Sequence, residues 1–227
     1  MPATPASRRR TGRARHAAAA SAVATVVALA LAPLLPAGLS TAQRLSLVSG
    51  YTSLIALLLT LCLGPLNVLL GRRNPFSSDL RRDAGLMAAL TGLLHTAISL
   101  TNHFDGDVVL YFFDGRPLGI RALRADAFGL GSWLGLVAVA LLLALSLTSS
   151  DAALRRLGRR TWKRIQRSNY VLSCIAVVHT ALFWFSLRRA GLVVLFVSAA
   201  AAATLTMQIA GATRTIRRRR SAFANLR

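Results

Sequence analysis

The sequence predicts an all-α integral membrane protein, a bundle of six transmembrane helices with both termini cytosolic. Three observations predict it. The 227 residues are 54% hydrophobic and only 15% charged, at a mean hydropathy of +0.53, which points to lipid rather than water as the solvent. The apolar residues gather into six runs, each near the ~20 helical residues that cross a bilayer core. Of the 28 Lys and Arg residues, 22 fall in the two ends and in alternate connections between those runs. The positive-inside rule puts that side in the cytosol. No period-2 alternation suggests a membrane barrel.

The elements follow in order. A basic arm, 1–16, carries Arg8, Arg9, Arg10, Arg13 and Arg15. The first span, 17–39, shares a basic flank and small following residues with a signal peptide. Its apolar run is long for that, so a retained helix is expected. The second, 47–70, contains a Gly64-Pro65 break, and Arg72, Arg73, Arg81 and Arg82 follow it. The third is 84–104. A segment of aromatics, Asp and Arg, 105–126, comes next and reads as an anchor in the outer membrane interface. The fourth span is 127–147. The most basic connection holds Arg155, Arg156, Arg159, Arg160, Lys163, Arg164 and Arg167. The fifth and sixth spans are 169–187 and 190–210, and a basic tail, 211–227, closes the chain. The membrane domain is therefore 17–210.

Several function classes drop out. A net charge of +21 would suit nucleic acid, but its positions flank apolar runs and meet lipid headgroups instead. The acids are seven Asp and no Glu, poor material for paired-carboxylate hydrolysis. Cys62 and Cys174 lie inside apolar runs, and no CxxC or CxxCH occurs, so neither a dithiol redox pair nor covalent haem attachment is expected. Neither a P-loop nor a GxGxxG in a βαβ setting is present. No catalytic residue is expected in the chain itself.

The histidines carry the chemistry. His16 reads as a surface residue of the arm, and His103 as one at the outer end of span 3. His95 and His179 lie inside spans, where ionisable groups are rare and usually functional. Spans 3 and 5 run in the same direction. Counted from the cytosolic boundary, both histidines sit about 15–17 Å along their helices, near the midplane. Two imidazoles at one level suit the two axial positions of a haem. Bonding between helices and a proton or ion pathway are the other readings. A small-residue face of Ala88, Thr91, Gly92, His95, Ser99 and Asn102 leaves room for a flat macrocycle, or for close helix packing. A bare metal ion would want a third ligand at that depth.

Two blocks, TLCLGPLNVLLGRRNPFSSDLRRDAGLMAALTGLLH at 60–95 and LTSSDAALRRLGRRTWKRIQRSNYVLSCIAVVH at 147–179, resemble the ferric reductase-like transmembrane domain family. Within it they are similar to the haem-binding membrane subunit of bacterial periplasmic methionine sulfoxide reductase systems (MsrQ-type). The resemblance covers about 47–190. It implies a b-type haem, held through its iron by histidines at the positions of His95 and His179. It also implies an electron-transfer subunit of the bacterial inner membrane rather than a self-contained enzyme. Electrons would come from a separate cytosolic flavin reductase or a quinol, with FMN or quinone as further cofactors. The acceptor would lie outside, such as a periplasmic reductase. Where that branch has WKRLHR, this chain has a Thr inserted and Gln166 in place of the His. Gln is a poor haem ligand, so one haem is expected. Arg164 and Arg167, or Arg188 and Arg189, are candidates to pair with haem propionates. The competing expectation is a cofactor-free membrane scaffold.

Overall fold

The computed structural model describes residues 18–19, 21–71, 76–115, 121–188 and 191–224. Among them, six helices build the fold: α1 (Ser21–Leu34), α2 (Thr41–Leu69), α3 (Phe76–Ser99), α4 (Ala127–Leu147), α5 (Asp151–Ser186) and α6 (Leu192–Ala224). Between α3 and α4 lie two short 3-10 turns and a small antiparallel hairpin, β1 (Phe113–Gly115) with β2 (Arg121–Leu123), in which Phe113 faces Leu123. The chain is a multi-pass membrane protein. Helices α2, α4 and α5, and Leu192–Arg218 of α6, are each long and apolar enough to cross a bilayer.

The two remaining helices end earlier than the sequence suggests. Helix α1 tightens into a 3-10 turn at Ala32–Leu34, with Pro33 in it, and Pro36 follows at once. Helix α3 ends at Ser99, and Thr101 and Asn102 turn the chain away, so the span does not reach 104. In compensation, α5 begins at Asp151 and makes the whole basic connection helical, with one kink at Gly158, whose φ is +71°. The described basic tail is helical as well, because α6 runs on to Ala224.

Polar side chains set the helix starts. Ser40 and Gln43 form a reciprocal capping box on α2. Asp126 accepts from the Gly129 amide at the start of α4 (2.7 Å), and Ser150 from the Ala153 amide at the start of α5 (3.0 Å). Each satisfies an amide that helix geometry leaves unpaired.

The interior mixes leucines with buried hydroxyls, and the outside is leucine-rich. Ser46, Ser49, Thr52, Ser53 and Thr60 of α2 are buried, whereas Leu90, Leu94, Leu136, Leu195 and Leu205 are exposed. Lipid tails are as apolar as leucine, so close backbone packing rather than leucine burial holds such helices together. Ser53 shows it directly: its hydroxyl donates to the Ala88 carbonyl of α3 at 2.7 Å. One cluster joins α1, α2 and α6 around Leu31, Leu54, Leu58 and Val197. A second joins α2, α3, α4 and α5 around Leu57, Ala88, Leu142 and Leu172. The second forms the floor under the histidines.

Residues 105–115 and 121–126 fold over one end of the bundle. Tyr111 is buried and packs on Phe128 at the start of α4, and Phe112 and Phe113 pack on Trp133. Val108 and Leu123 remain on the outside. Arg124 ties the cap down. It stacks on Phe104 and Phe128, pairs with Asp126 at 3.0 Å and donates to the Leu110 carbonyl.

Candidate functional site

The structure brings His95 of α3 and His179 of α5 together. Their ring centroids are 6.3 Å apart and their planes stand at 88°. His95 is four residues before the end of α3 and His179 seven before the end of α5, about 6 and 10 Å of helix. Each histidine lies nearer the capped end of its helix than the basic end, because both helices begin inside the basic segments.

Each imidazole is held in the same way by a neighbouring helix. His95 Nδ1 donates to the Ser46 carbonyl of α2 at 2.7 Å, and His179 Nδ1 donates to the Gly131 carbonyl of α4 at 2.8 Å. A carbonyl can only accept, so in each ring Nδ1 carries the proton and Nε2 keeps its lone pair. Gly50 and Gly135 lie one turn beyond those carbonyls. A Cβ on Gly50 would stand 2.7 Å from His95 Nδ1, and one on Gly135 would stand 2.9 Å from His179 Cε1. Only glycine lets the rings lie so close to the helix. The surroundings otherwise differ. The hydroxyls of Ser46 and Ser99 bond each other at 2.6 Å and approach His95 Nδ1 at 3.3 Å. His179 instead meets the Phe183 ring at 5.0 Å.

A cavity of about 240 Å³ opens around the pair. Leu57, Leu142 and Leu172 line its lower end, and Gln43, Asn102 and Tyr111 its end beneath the cap. His103 lines it too and packs edge-on against Phe128 and Tyr111, so it sits inside the aromatic cap. Arg164, Arg167 and Arg188 are exposed and do not line the cavity. Arg189 and His16 lie outside the described residues.

The residues fit a metal that brings its own equatorial ligands. Among the described residues no group of three or more His, Cys, Asp or Glu could hold a metal ion. Two imidazoles with free Nε2 atoms suit the axial positions of a macrocyclic iron. A ligating nitrogen lies about 2 Å from its metal, which puts two opposed ring centroids about 6 Å apart, close to the 6.3 Å observed. Backbone carbonyls that accept from Nδ1 are usual partners of metal-bound histidine.

The other sequence landmark, Gln166, is in use elsewhere. Its Nε2 donates to the Thr148 hydroxyl at the end of α4 (3.3 Å), and the neighbouring Trp162 indole donates to the Thr148 carbonyl (2.9 Å). Thirteen residues before His95, the interval that separates Gln166 from His179, stands Arg82. It pairs with Asp151 at 3.1 Å. Neither position offers an imidazole.

Sequence reading did not single out Gly50, Gly135 or the carbonyls of Ser46 and Gly131. A signal was present: SLVSG at 46–50 and GSWLG at 131–135 both have the small-xxx-small spacing of close helix approach. That spacing tells that something comes near, without telling that it is an imidazole.

Comparison with known proteins agrees with this architecture. The protein-methionine-sulfoxide reductase heme-binding subunit MsrQ of Azospira oryzae is 33% identical over 144 residues, covering 63% of this chain and 55% of that protein. The subunit of the same name from Bordetella pertussis is 33% identical over 137 residues, covering 60% of this chain and 58% of the relative. That of Deinococcus radiodurans is 28% identical over 142 residues, covering 62% and 61%. The chain thus spans less than two thirds of the length of these relatives. The family described as "Ferric reductase like transmembrane component" matches residues 49–178, from early α2 to one residue short of His179. With more than half of its length matched, and with the helices and paired histidines in place, the chain belongs to the ferric reductase-like transmembrane family.

Proposed function

We propose that this protein is a membrane electron-transfer subunit that holds one b-type haem between His95 and His179. The observation that carries the reading is the pair itself: two imidazoles 6.3 Å apart, each with Nδ1 committed to a backbone carbonyl. The relatives' names, heme-binding subunits of a methionine sulfoxide reductase, support it. A bound haem would supply one-electron redox chemistry. The chain's own residues keep both Nε2 atoms available to metal, wall the site with Leu57, Leu142 and Leu172, and limit water from the far end through the aromatic cap. His95 and His179 would together hold the haem, which would then serve electron transfer rather than bind oxygen or substrate.

The two ends of the bundle are chemically different, which gives the transfer a direction. In this reading the basic end, with exposed Arg155, Arg159, Lys163, Arg164, Arg217 and Arg218, faces the cytosol of a bacterial cell across the inner membrane. Its field steers a separate donor, an acidic or phosphate-bearing flavin reductase, or a quinol in the bilayer. The capped end faces the acceptor, a periplasmic reductase. One haem rather than two is supported by Gln166 and Arg82 being bound elsewhere.

The test is optical. The purified chain, expressed with ample haem, should show the split bands of a reduced low-spin b haem at one haem per chain. His95→Ala and His179→Ala should each abolish that spectrum. Retention by both variants would refute the ligand assignment, and a colourless wild-type protein would support a cofactor-free scaffold. Gln166→His should leave the ratio at one.

A further inference from the structure

We propose that Gly50 and Gly135, each with the carbonyl one turn before it, are positioning residues that lock the two imidazoles with their planes perpendicular; this rests on the haem reading above. An axial imidazole can rotate about its bond to the metal. What stops it is the partner of its Nδ1–H and the wall beside the ring. In this protein both come from one helix for each ring. His95 takes its carbonyl and its glycine wall from α2, and His179 takes both from α4.

The spacing has a physical basis. In an α-helix the carbonyl of residue i is covered by residue i+4, whose amide bonds to it. Ser46 and Gly50 are such a pair, and so are Gly131 and Gly135. Removing the side chain at i+4 uncovers the carbonyl, and a side chain from another helix can then reach it. The same absence lets the Nδ1–Cε1 edge of the ring settle on the helix backbone. A hydrogen bond and a flat wall together fix the ring's rotation. Helices α2 and α4 approach the site separately, and the rings they hold stand at 88°.

Ring orientation has an electronic consequence. Parallel imidazole planes act on the same iron d orbital and split it from its partner. Perpendicular planes act on both alike and leave them nearly degenerate. A ferric low-spin haem held in this way gives a strongly anisotropic paramagnetic resonance signal dominated by one large g value. Parallel planes give three resolved g values.

The experiment is low-temperature electron paramagnetic resonance on the full chain, purified with haem in detergent, alongside optical spectra. Wild type should give the single large-g signal. Gly50→Ala and Gly135→Ala should keep low-spin optical bands while the signal narrows to the three-line form, because the new Cβ forces the ring to turn. Gly85→Ala, on α3 with open space around its Cβ, should match wild type. A three-line signal from wild type overturns the proposal, as do two alanine variants that bind haem with unchanged anisotropy. Should the alanine variants not fold, the wild-type signal still decides the ring angle. A wild-type protein with no low-spin signal at all overturns the haem reading itself.

Discussion

The side-chain amide of Gln208 on α6 donates to the carbonyl oxygen of Leu61 on α2 at 2.7 Å, and Leu61 is the carbonyl that Pro65 strands. Proline has no amide hydrogen, so the residue four before it loses its helical partner. Gly211, one turn after Gln208, packs its backbone on the Pro65 ring. Gln208→Ala should therefore destabilise the bundle by about 1–3 kcal/mol, the usual effect of leaving a shielded carbonyl unpaired. Thermal unfolding in detergent measures it. In a Pro65→Ala background the same change should matter much less, because the amide that the alanine restores can reclaim the carbonyl.

Gly92 on α3 separates packing from propensity. A Cβ there would meet the Ser53 hydroxyl at 2.8 Å and Leu142 at 2.9 Å. Gly92→Ala should cost about 1–3 kcal/mol through overpacking, against a propensity gain of about 1 kcal/mol. Gly85→Ala on the same helix meets nothing within 4 Å and should raise the unfolding temperature slightly. The two midpoints should move in opposite directions.

Ser46 offers His95 both a carbonyl at 2.7 Å and a hydroxyl at 3.3 Å. If the carbonyl does the holding, Ser46→Ala and Ser99→Ala should each keep haem at the wild-type ratio, with at most a small shift in midpoint potential. Loss of haem in either variant would show that the hydroxyl pair holds the ring. Redox titration of the variants distinguishes these outcomes.

Asp126 gives the cap a pH dependence. The hydrogen bond from Arg124 holds its carboxyl below the usual carboxylate range, aided by the Gly129 amide and opposed by partial burial. A depressed value means that the ionised form favours the folded cap. That contribution is complete above the ordinary carboxylate range and fades as pH falls through the lowered one. The protection of the amides at the start of α4, taken relative to their intrinsic exchange rate at each pH, should therefore fall on acidification in wild type. In Asp126→Asn, which retains an acceptor for Gly129, that pH dependence should largely vanish.

Much of the site was legible in the sequence for a local reason. An ionisable residue in an apolar run stands out against its neighbours, and helical rise converts position into depth. His95 and His179 were identifiable on those grounds, whereas the loss of an imidazole at Gln166 showed only through the family resemblance. The helix bounds differed because charged residues at 76–83 and 151–167 hide helix that continues past the apolar core. Hydropathy marks where lipid is, and helix ends are set by caps and turns.

By itself the sequence determined the all-α membrane class, the basic polarity of one end and the two histidines, since composition and period act within a single segment. Only the tertiary structure decided which backbone each imidazole would rest on, the right angle between the rings, and the aromatic lid that Tyr111, Phe128 and His103 make over the cavity. Those are relations between segments 48 or 49 residues apart for the two histidine bonds. They arise because glycine lets two helices come close enough for an imidazole to reach a carbonyl that is already part of another helix.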